Sequence, residues 1–394
     1  AQIYLTGLFN QENAIQIGYA HTNGQFGVLR ANGGKAHIPS FTFSALDDGD
    51  VTVTLNGTAF TTVTLNAGTI AGNIALLAEG LEDQAAFTAR YLVEYDQTRI
   101  KFLSTSLGPQ TGTFNATSTA TITFTNTTDQ TGVTQTENWT FQDDFNIDKL
   151  DGTGYSGVTI DPSKLNVYQI NFRWLGAGEI RYAIENPTNG DMMFFHHEHY
   201  TNKNELPHLD NPSMKIGYVA ANLGSPTSGV VTCTGSSFLG AVEGIIERVR
   251  LPYSVTVNRT DSMLANNLYH VASLKNKLIY QNKINTRDLI VSRLTASVNT
   301  AGNPAVLYIY YNPTVTNYLR WTTQTDFNAS LFASRDSSGL FTLPAQTTPP
   351  VAAFHMTDGS TIDVDLIVPT YWLVESTSII SSEYKLITIC VPFA

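Results

Sequence analysis

Charge is scarce in this sequence. Asp, Glu, Lys and Arg make up 14% of its 394 residues, where a soluble domain usually carries about a quarter. The polar surface must therefore come from Thr, Ser, Asn, Gln and Gly. Such surfaces suit extracellular particles and repeated assemblies better than cytosolic enzymes. Cations are the scarcer sign: 22 Lys and Arg stand against 33 Asp and Glu, a net charge of −11. Phosphate backbones are gripped by clustered Lys and Arg, so no nucleic acid partner is expected. The most basic stretch, Lys275–Arg293, spaces its charges among apolar residues as a strand with one wet and one dry face does.

Cysteine is nearly missing. Cys233 and Cys390 cannot build a disulfide framework or a zinc site by themselves. Two free, buried thiols are expected, with a single bridge as the alternative. No apolar run reaches the ~20 residues that cross a bilayer as a helix, so no membrane insertion is expected. No signal-peptide pattern is visible and the first residue is not Met, which fits a mature or trimmed form. Glycosylation sequons begin at Asn56, Asn115, Asn126, Asn138, Asn258 and Asn328. They matter only for a chain that passes through a secretory pathway.

What the sequence does have is extended, turn-punctuated patterning over a 42% hydrophobic composition, enough for a sizeable core. Its length suggests two or three domains. The chain is organised around residues 143–224. An acidic, glycine-rich loop (Asp143, Asp144, Asp148, Asp151, Gly152, Gly154, Gly157) leads into three extended runs, Asn166–Leu175, Glu179–Asn186 and Asp191–Tyr200. Turn residues separate them, which predicts an antiparallel meander. Before it, strands are predicted at Gln2–Leu8, Ala14–Ala20, Gln25–Arg30 and Ala36–Ser44. Residues 1–45 cannot close a core alone and should pair with the central strands. Val51–Leu55 and Phe60–Leu65 flank Asn56-Gly57, a type I′ hairpin signal. One helix is predicted over Thr69–Ala86, from Ile70, Ile74, Leu77 and Leu81 with Thr69 as N-cap. Strands Tyr91–Tyr95 and Arg99–Ser104 and a Thr-rich strand pair in Thr111–Asn126 complete a small α+β module, residues 46–126. Beyond 250, strands are predicted at Tyr269–Leu274, Leu278–Ile284, Asp288–Val298, Ala305–Tyr311, Thr361–Leu366 and Tyr384–Val391. In the fifth, Ile362, Val364 and Leu366 should face inward.

Specific motifs recur in a fixed order. Thr52–Phe60 (TVTLNGTAF), the helix and Arg99–Phe114 (RIKFLSTSLGPQTGTF) resemble a module of phage and large DNA-virus structural proteins. Then come Phe145–Gly154, Ser156–Pro162, Asn166–Ile170, Trp174–Tyr182, Ile184–Pro187, Asn211–Met214 and Val242–Gly244. Over roughly residues 15–250 this succession resembles a family of largely uncharacterised virion proteins from double-stranded DNA viruses of aquatic microbes, both tailed phages and large algal viruses. The resemblance implies a component of the particle without fixing which one.

The expected fold is mainly β. A central jelly-roll or lectin-like β-sandwich would span 127–250 and receive the N-terminal strands 1–45. The module 46–126 would be inserted, and a second β-sandwich would span 251–394.

Four constellations bear on chemistry. His197 and His199 share a strand face, with His196 and Glu198 on the other; two such histidines could bind zinc with a third ligand such as His208 or His21. The alternative is a polar strand face near a subunit contact. Asp148 and Asp151, with Asp143 and Asp144, could hold calcium, or be a solvated turn with Asx caps. Asp143, Asp144, Glu179 and Glu185 are the carboxylates from which a glycosidase pair would be drawn. Tyr168, Trp174, Tyr182, Phe194, Phe195 and Tyr200 could stack on sugars, with about half expected in the core. No phosphate loop, Gly-x-Ser-x-Gly elbow or kinase set occurs, and Gly176-Ala177-Gly178 is a turn between strands rather than a dinucleotide loop.

The expectation is a non-enzymatic structural protein on the virion surface (fibre, spike or capsid-associated) with no catalytic residue, metal or cofactor. It would assemble with itself, a trimer first, and with other virion proteins. A host-surface glycan is the possible external ligand. A lectin-like receptor binder and a polysaccharide depolymerase are the competing readings.

Overall fold

The computed structural model describes residues 2–20, 24–212, 214–222, 233–241, 268–276, 279–280, 282–284, 289–290, 293–297, 305–311, 322–323, 333–336, 349–350, 352–356, 361–365, 373–374 and 386–392. The protein is mainly β, with 50% strand, 8% helix and several sheets. The chain divides into two compact units. Residues 1–35, 107–109 and 132–249 form the first; residues 36–106, 110–131 and 250–394 form the second.

In chain order the elements up to residue 222 are β1 (Gln2–Phe9), β2 (Ala14–Tyr19), β3 (Phe26–Asn32), β4 (Ile38–Leu46), β5 (Gly49–Leu55), β6 (Thr58–Ala59) and β7 (Val63–Leu65). Helices α1 (Ile70–Glu82) and α2 (Ala85–Thr88) follow. Next are β8 (Tyr91–Tyr95), β9 (Arg99–Ser104), β10 (Asn115–Ser118), β11 (Ile122–Gln130), β12 (Thr136–Phe141), a short 3₁₀ turn (Gln142–Asp144), β13 (Tyr168–Phe172), β14 (Ile180–Glu185), β15 (Met192–Glu198) and β16 (Lys215–Asn222).

In the first unit, five antiparallel strands run in the order β12-β3-β2-β1-β16. An Asx turn starts the link from β1 to β2: Asn10 Oδ1 accepts the N–H groups of Glu12 and Asn13, each at 2.8 Å. The meander forms as predicted, in the order β13-β14-β15. Alternation directs Ile15, Ile17, Phe26 and Val28 of the larger sheet into one apolar cluster with Ile180, Tyr182, Ile184, Met193 and Phe195 of the meander. Phe145, Leu150, Val158 and Leu209 add side chains from loops. Leu5, Ala14, Leu29 and Ala31 are buried in a separate cluster. Strands β12 and β16 escaped the sequence reading. The first opens Thr-Glu-Asn and the second carries Gly217 and two alanines, so neither shows a clear apolar alternation.

In the second unit, two sheets enclose α1. Their orders are β11-β4-β9-β8 and β10-β5-β6, with β7 also on β5. Phe41, Val53, Leu55, Ile74, Leu77, Leu81, Phe87 and Phe102 are central to their shared core. Asn56 and Gly57 have φ of 49° and 75°, the positive pair that a type I′ turn requires. Thr69 caps α1, its side chain accepting the Gly72 N–H at 3.2 Å.

Three expectations change here. The single helix is two, because Gln84 turns away to bond the Thr61 backbone through both ends of its amide, at 2.8 and 2.9 Å. The Thr-rich pair separates: β10 pairs with β5 and β11 with β4. Strand β4, read from sequence with the N-terminal group, pairs with β9 and β11 and belongs to the second unit.

Beyond 267, six strands make an antiparallel sheet in the order 322–323, 333–336, 268–276, 386–392, 305–311, 352–356. Residues 279–280 pair with 283–284 as a hairpin. The stretch expected as one strand at 288–298 is two, 289–290 and 293–297, which pair with 373–374 and 361–365 respectively. The basic stretch 275–293 is likewise divided among short strands. Ile362 is half-buried, while Asp363 is exposed and paired with Arg293. The strands at 322–323, 333–336, 352–356 and 373–374 were not anticipated.

Candidate functional site

The acidic loop, the histidine-rich end of β15 and the loops that follow come together in the first unit. The link is a β-bulge. Tyr182 pairs with His196 but Ala183 pairs with Phe194, so Phe195 has no partner on β14. The Phe195 carbonyl turns instead to the acidic loop and accepts the N–H groups of Ile147 and Asp148, at 3.2 and 3.1 Å. Asn146 then mimics one more strand residue. Its amide donates to the His197 carbonyl at 2.8 Å and accepts the His197 N–H at 2.9 Å.

Asp148 is 1% exposed. Its two oxygens accept the N–H groups of Leu150 and Ser156, each at 2.9 Å. Leu150 is fully buried at φ +55°, a conformation that costs a branched side chain on the order of 1–3 kcal/mol. Asp148 from one side and Gln142, bonded to the Leu150 carbonyl at 3.0 Å, hold it there. Gly154 must be glycine, since a Cβ would lie 2.1 Å from an Asp148 oxygen. Asp151 points outward and accepts the N–H and hydroxyl of Thr153 at 2.8 and 2.6 Å; these donors hold its carboxyl below the usual range. The loop is thus built of Asx turns, and Asp148 and Asp151 face apart. Asp148→Ala is expected to destabilise the first unit by about 2–3 kcal/mol, because two N–H groups lose a charged acceptor. Urea unfolding followed by tryptophan fluorescence measures this, with Asp148→Asn expected to cost less.

His196 and Glu198 lie on the inner side. His196 is buried, stacked on Tyr182 and tilted against Phe145. Burial, then the neighbouring His197 and His199, push its pKa down to about 4. Glu198 meets Arg30 of β3 at 2.6 Å, an ion pair between the two sheets of this unit. The Arg30 guanidinium also sits 5.4 Å over the Tyr200 ring. Tyr200 also makes a T-shaped ring contact with His208, whose complete burial, aided by Arg30, lowers its pKa to about 4.

His197 and His199 share the outer side, their rings 5.7 Å apart. Glu179 reaches His199 Nδ1 at 3.8 Å but is held primarily by Arg181, which keeps its carboxyl below the usual range. Among the described residues, no three His, Cys, Asp or Glu side chains converge to hold a metal. His21 lies outside the described residues. The carboxylates proposed for glycoside cleavage are also scattered. Glu179 precedes β14 and Glu185 ends it, six residues apart, or roughly 20 Å along a strand, against the ~5–9.5 Å that glycosidase pairs require. Asp143 and Asp144 are exposed on the 3₁₀ turn.

Of the six aromatics, Tyr182, Phe195 and Tyr200 are buried. Tyr168 and Phe194 are half-buried, the latter beneath Arg181. Trp174 is 55% exposed, on a turn shared with Leu175 at 85%. That turn is pinned to the loop after β15, where His208 N–H donates to the Gly176 carbonyl at 2.8 Å and the Thr201 hydroxyl to Ala177 at 3.0 Å. The same loop exposes Leu206. Sequence reasoning missed Arg30 as a site residue, since nothing local marks it as the partner of Glu198. Cys233 is a free, half-buried thiol. The side chain of Cys390, the Val242–Gly244 motif and the sequons at Asn258 and Asn328 lie outside the described residues.

Comparison with protein-family models, with curated proteins and with solved structures finds no match to this chain in any of the three.

Proposed function

We propose that the chain is a structural protein of a virus particle, displayed on its surface as a fibre, spike or capsid-associated component, and non-enzymatic. The observation that carries this is how the polar groups of the central region are used. Asp148 holds its own loop, Arg30 joins Glu198 across the sheets, and Arg181 takes Glu179. These side chains fix a scaffold, while Trp174, Leu175 and Leu206 stand exposed on two loops tied together. Exposed apolar groups on a braced tip suit a protein contact.

In this reading the five-stranded sheet and the meander are the layers of a jelly-roll-like β-sandwich, supported by their shared apolar cluster. A second sandwich would lie in the C-terminal part. The motif order given above supports the virion assignment. Copies of the chain would assemble symmetrically, a trimer being the favoured state, alongside other virion proteins. A lectin-like role is the second reading, favoured by Trp174, whose exposed ring offers a stacking face for a sugar.

Quantitative mass spectrometry of purified particles, with a particle reconstruction, tests the proposal. The expected result is many copies per particle in a symmetric surface position. Absence from washed particles, or release of reducing ends from host polysaccharide by the pure protein, overturns it.

A further inference from the structure

We propose that Lys101 and Asp129 join through an intramolecular isopeptide bond, with Glu94 carrying the protons and Arg99 binding the carbonyl oxygen. The residues lie across four adjacent strands of the second unit. Glu94 on β8 is directly opposite Lys101 on β9, Lys101 is opposite Ser40 on β4, and Ser40 is opposite Thr127 on β11, two residues before Asp129. Opposed residues share a sheet face. Lys101 Nζ lies 3.1 Å from Asp129 Oδ2. Arg99 Nη2 and the Ser40 hydroxyl, the latter at 3.1 Å, both donate to the other oxygen, Oδ1.

The carboxyl side of this row is shielded from water, while the Lys101 and Arg99 side chains keep 29% and 30% exposure. Ser40 is fully buried, Glu94 is 9% exposed and the Asp129 side chain 11%. The hairpin 279–284 lies over it. Ile279 N–H donates to Glu94 at 3.3 Å, Asn282 donates to the Asp129 carbonyl at 3.3 Å, and Gln130 donates to the Asn282 carbonyl at 3.2 Å.

The step balances without a further reactant. Glu94 takes a proton from the Lys101 ammonium, and the freed amine attacks Asp129 Cγ. Oδ1 becomes the oxyanion, facing Arg99 and Ser40, donors already in place for that charge. The nitrogen gives up a second proton, Oδ2 collects both, and the C–Oδ2 bond breaks to release water. An amide remains and Glu94 is regenerated. Holding amine and carboxyl side by side supplies effective molarities of about 10⁵–10⁸ M, and the shielding of Asp129 opposes the reverse reaction.

Intact-mass spectrometry of the full chain after denaturation is the test. The expected mass is below the sequence mass by one water, and a protease digest should yield one branched peptide holding Lys101 and Asp129. Lys101→Arg should restore the full mass. Glu94→Gln should also restore it while keeping the wild-type circular dichroism spectrum, which separates lost chemistry from lost folding. A wild-type chain at the unmodified mass overturns the proposal. So does a water loss that persists in Lys101→Arg, which would place the dehydration elsewhere.

Discussion

Phe195→Ala is expected to destabilise the first unit by about 3–5 kcal/mol, the usual range for deleting a buried phenylalanine. Phe195 is completely buried, with its ring 4.8 Å from Phe145 and 6.4 Å from Tyr182. Its neighbour Phe194 is half-buried beneath Arg181, and Phe194→Ala should cost under ~1.5 kcal/mol by the area it covers. The difference reads out the bulge. In a regular strand, Phe195 and His196 could not both point inward; the unpaired residue lets them do so. Equal losses for the two variants in urea unfolding would sink this account. A larger loss for Phe194→Ala would reverse it.

Acid should weaken the same unit in a defined window. His196 and His208 have pKa values lowered to about 4, in both cases first by burial. In the unfolded chain they titrate near 6.5. The folded values are depressed, so their neutral forms contribute stability that is whole above about pH 6.5. It falls as pH drops toward 4, where the unfolded chain holds more protons than the folded one. Each histidine contributes up to about 3 kcal/mol, from ~1.36 kcal/mol per pKa unit. Below pH 4 their part of the slope ends. Burial sets the direction at His208 and Arg30 adds to it, since a second cation beside Tyr200 is opposed by the one already there. Unfolding free energies at pH 7 and pH 4.5 should differ by several kcal/mol. The difference should shrink by roughly half in His208→Gln and further when His196→Gln is added. Carboxylates also titrate here, so the comparison with the variants is what decides. A pH dependence unchanged by both substitutions would refute the assignment.

Local rules carried far into this fold. The meander, the Asn56-Gly57 hairpin, the Thr69 cap and strands such as β8 and β9 follow from period-two patterning, turn chemistry and capping, which act over a few residues. What they do not carry is partnership. The Thr-rich segment reads as two strands, but its sequence does not say that β10 goes to β5 and β11 to β4. The helix breaks at Gln84 because a residue 23 positions earlier receives its amide. The site shows the same limit. The alternation of His196 to His199 was readable, whereas Arg30, 168 residues from Glu198, was not. Asp148 and Asp151 look alike in sequence, and only the fold makes one an internal brace and the other a surface cap.

The pairing of β1 with β16 has a consequence for biosynthesis. Its partners stand about 200 residues apart in the chain, and a ribosome adding ~5–20 residues per second leaves β1 waiting roughly 10–40 s for β16 to emerge. During that interval β1 has β2 on one side and an open edge on the other, a template for a neighbouring nascent chain. Production should therefore depend on chaperone supply. Fragments cut before residue 215 should reach inclusion bodies instead of the soluble fraction.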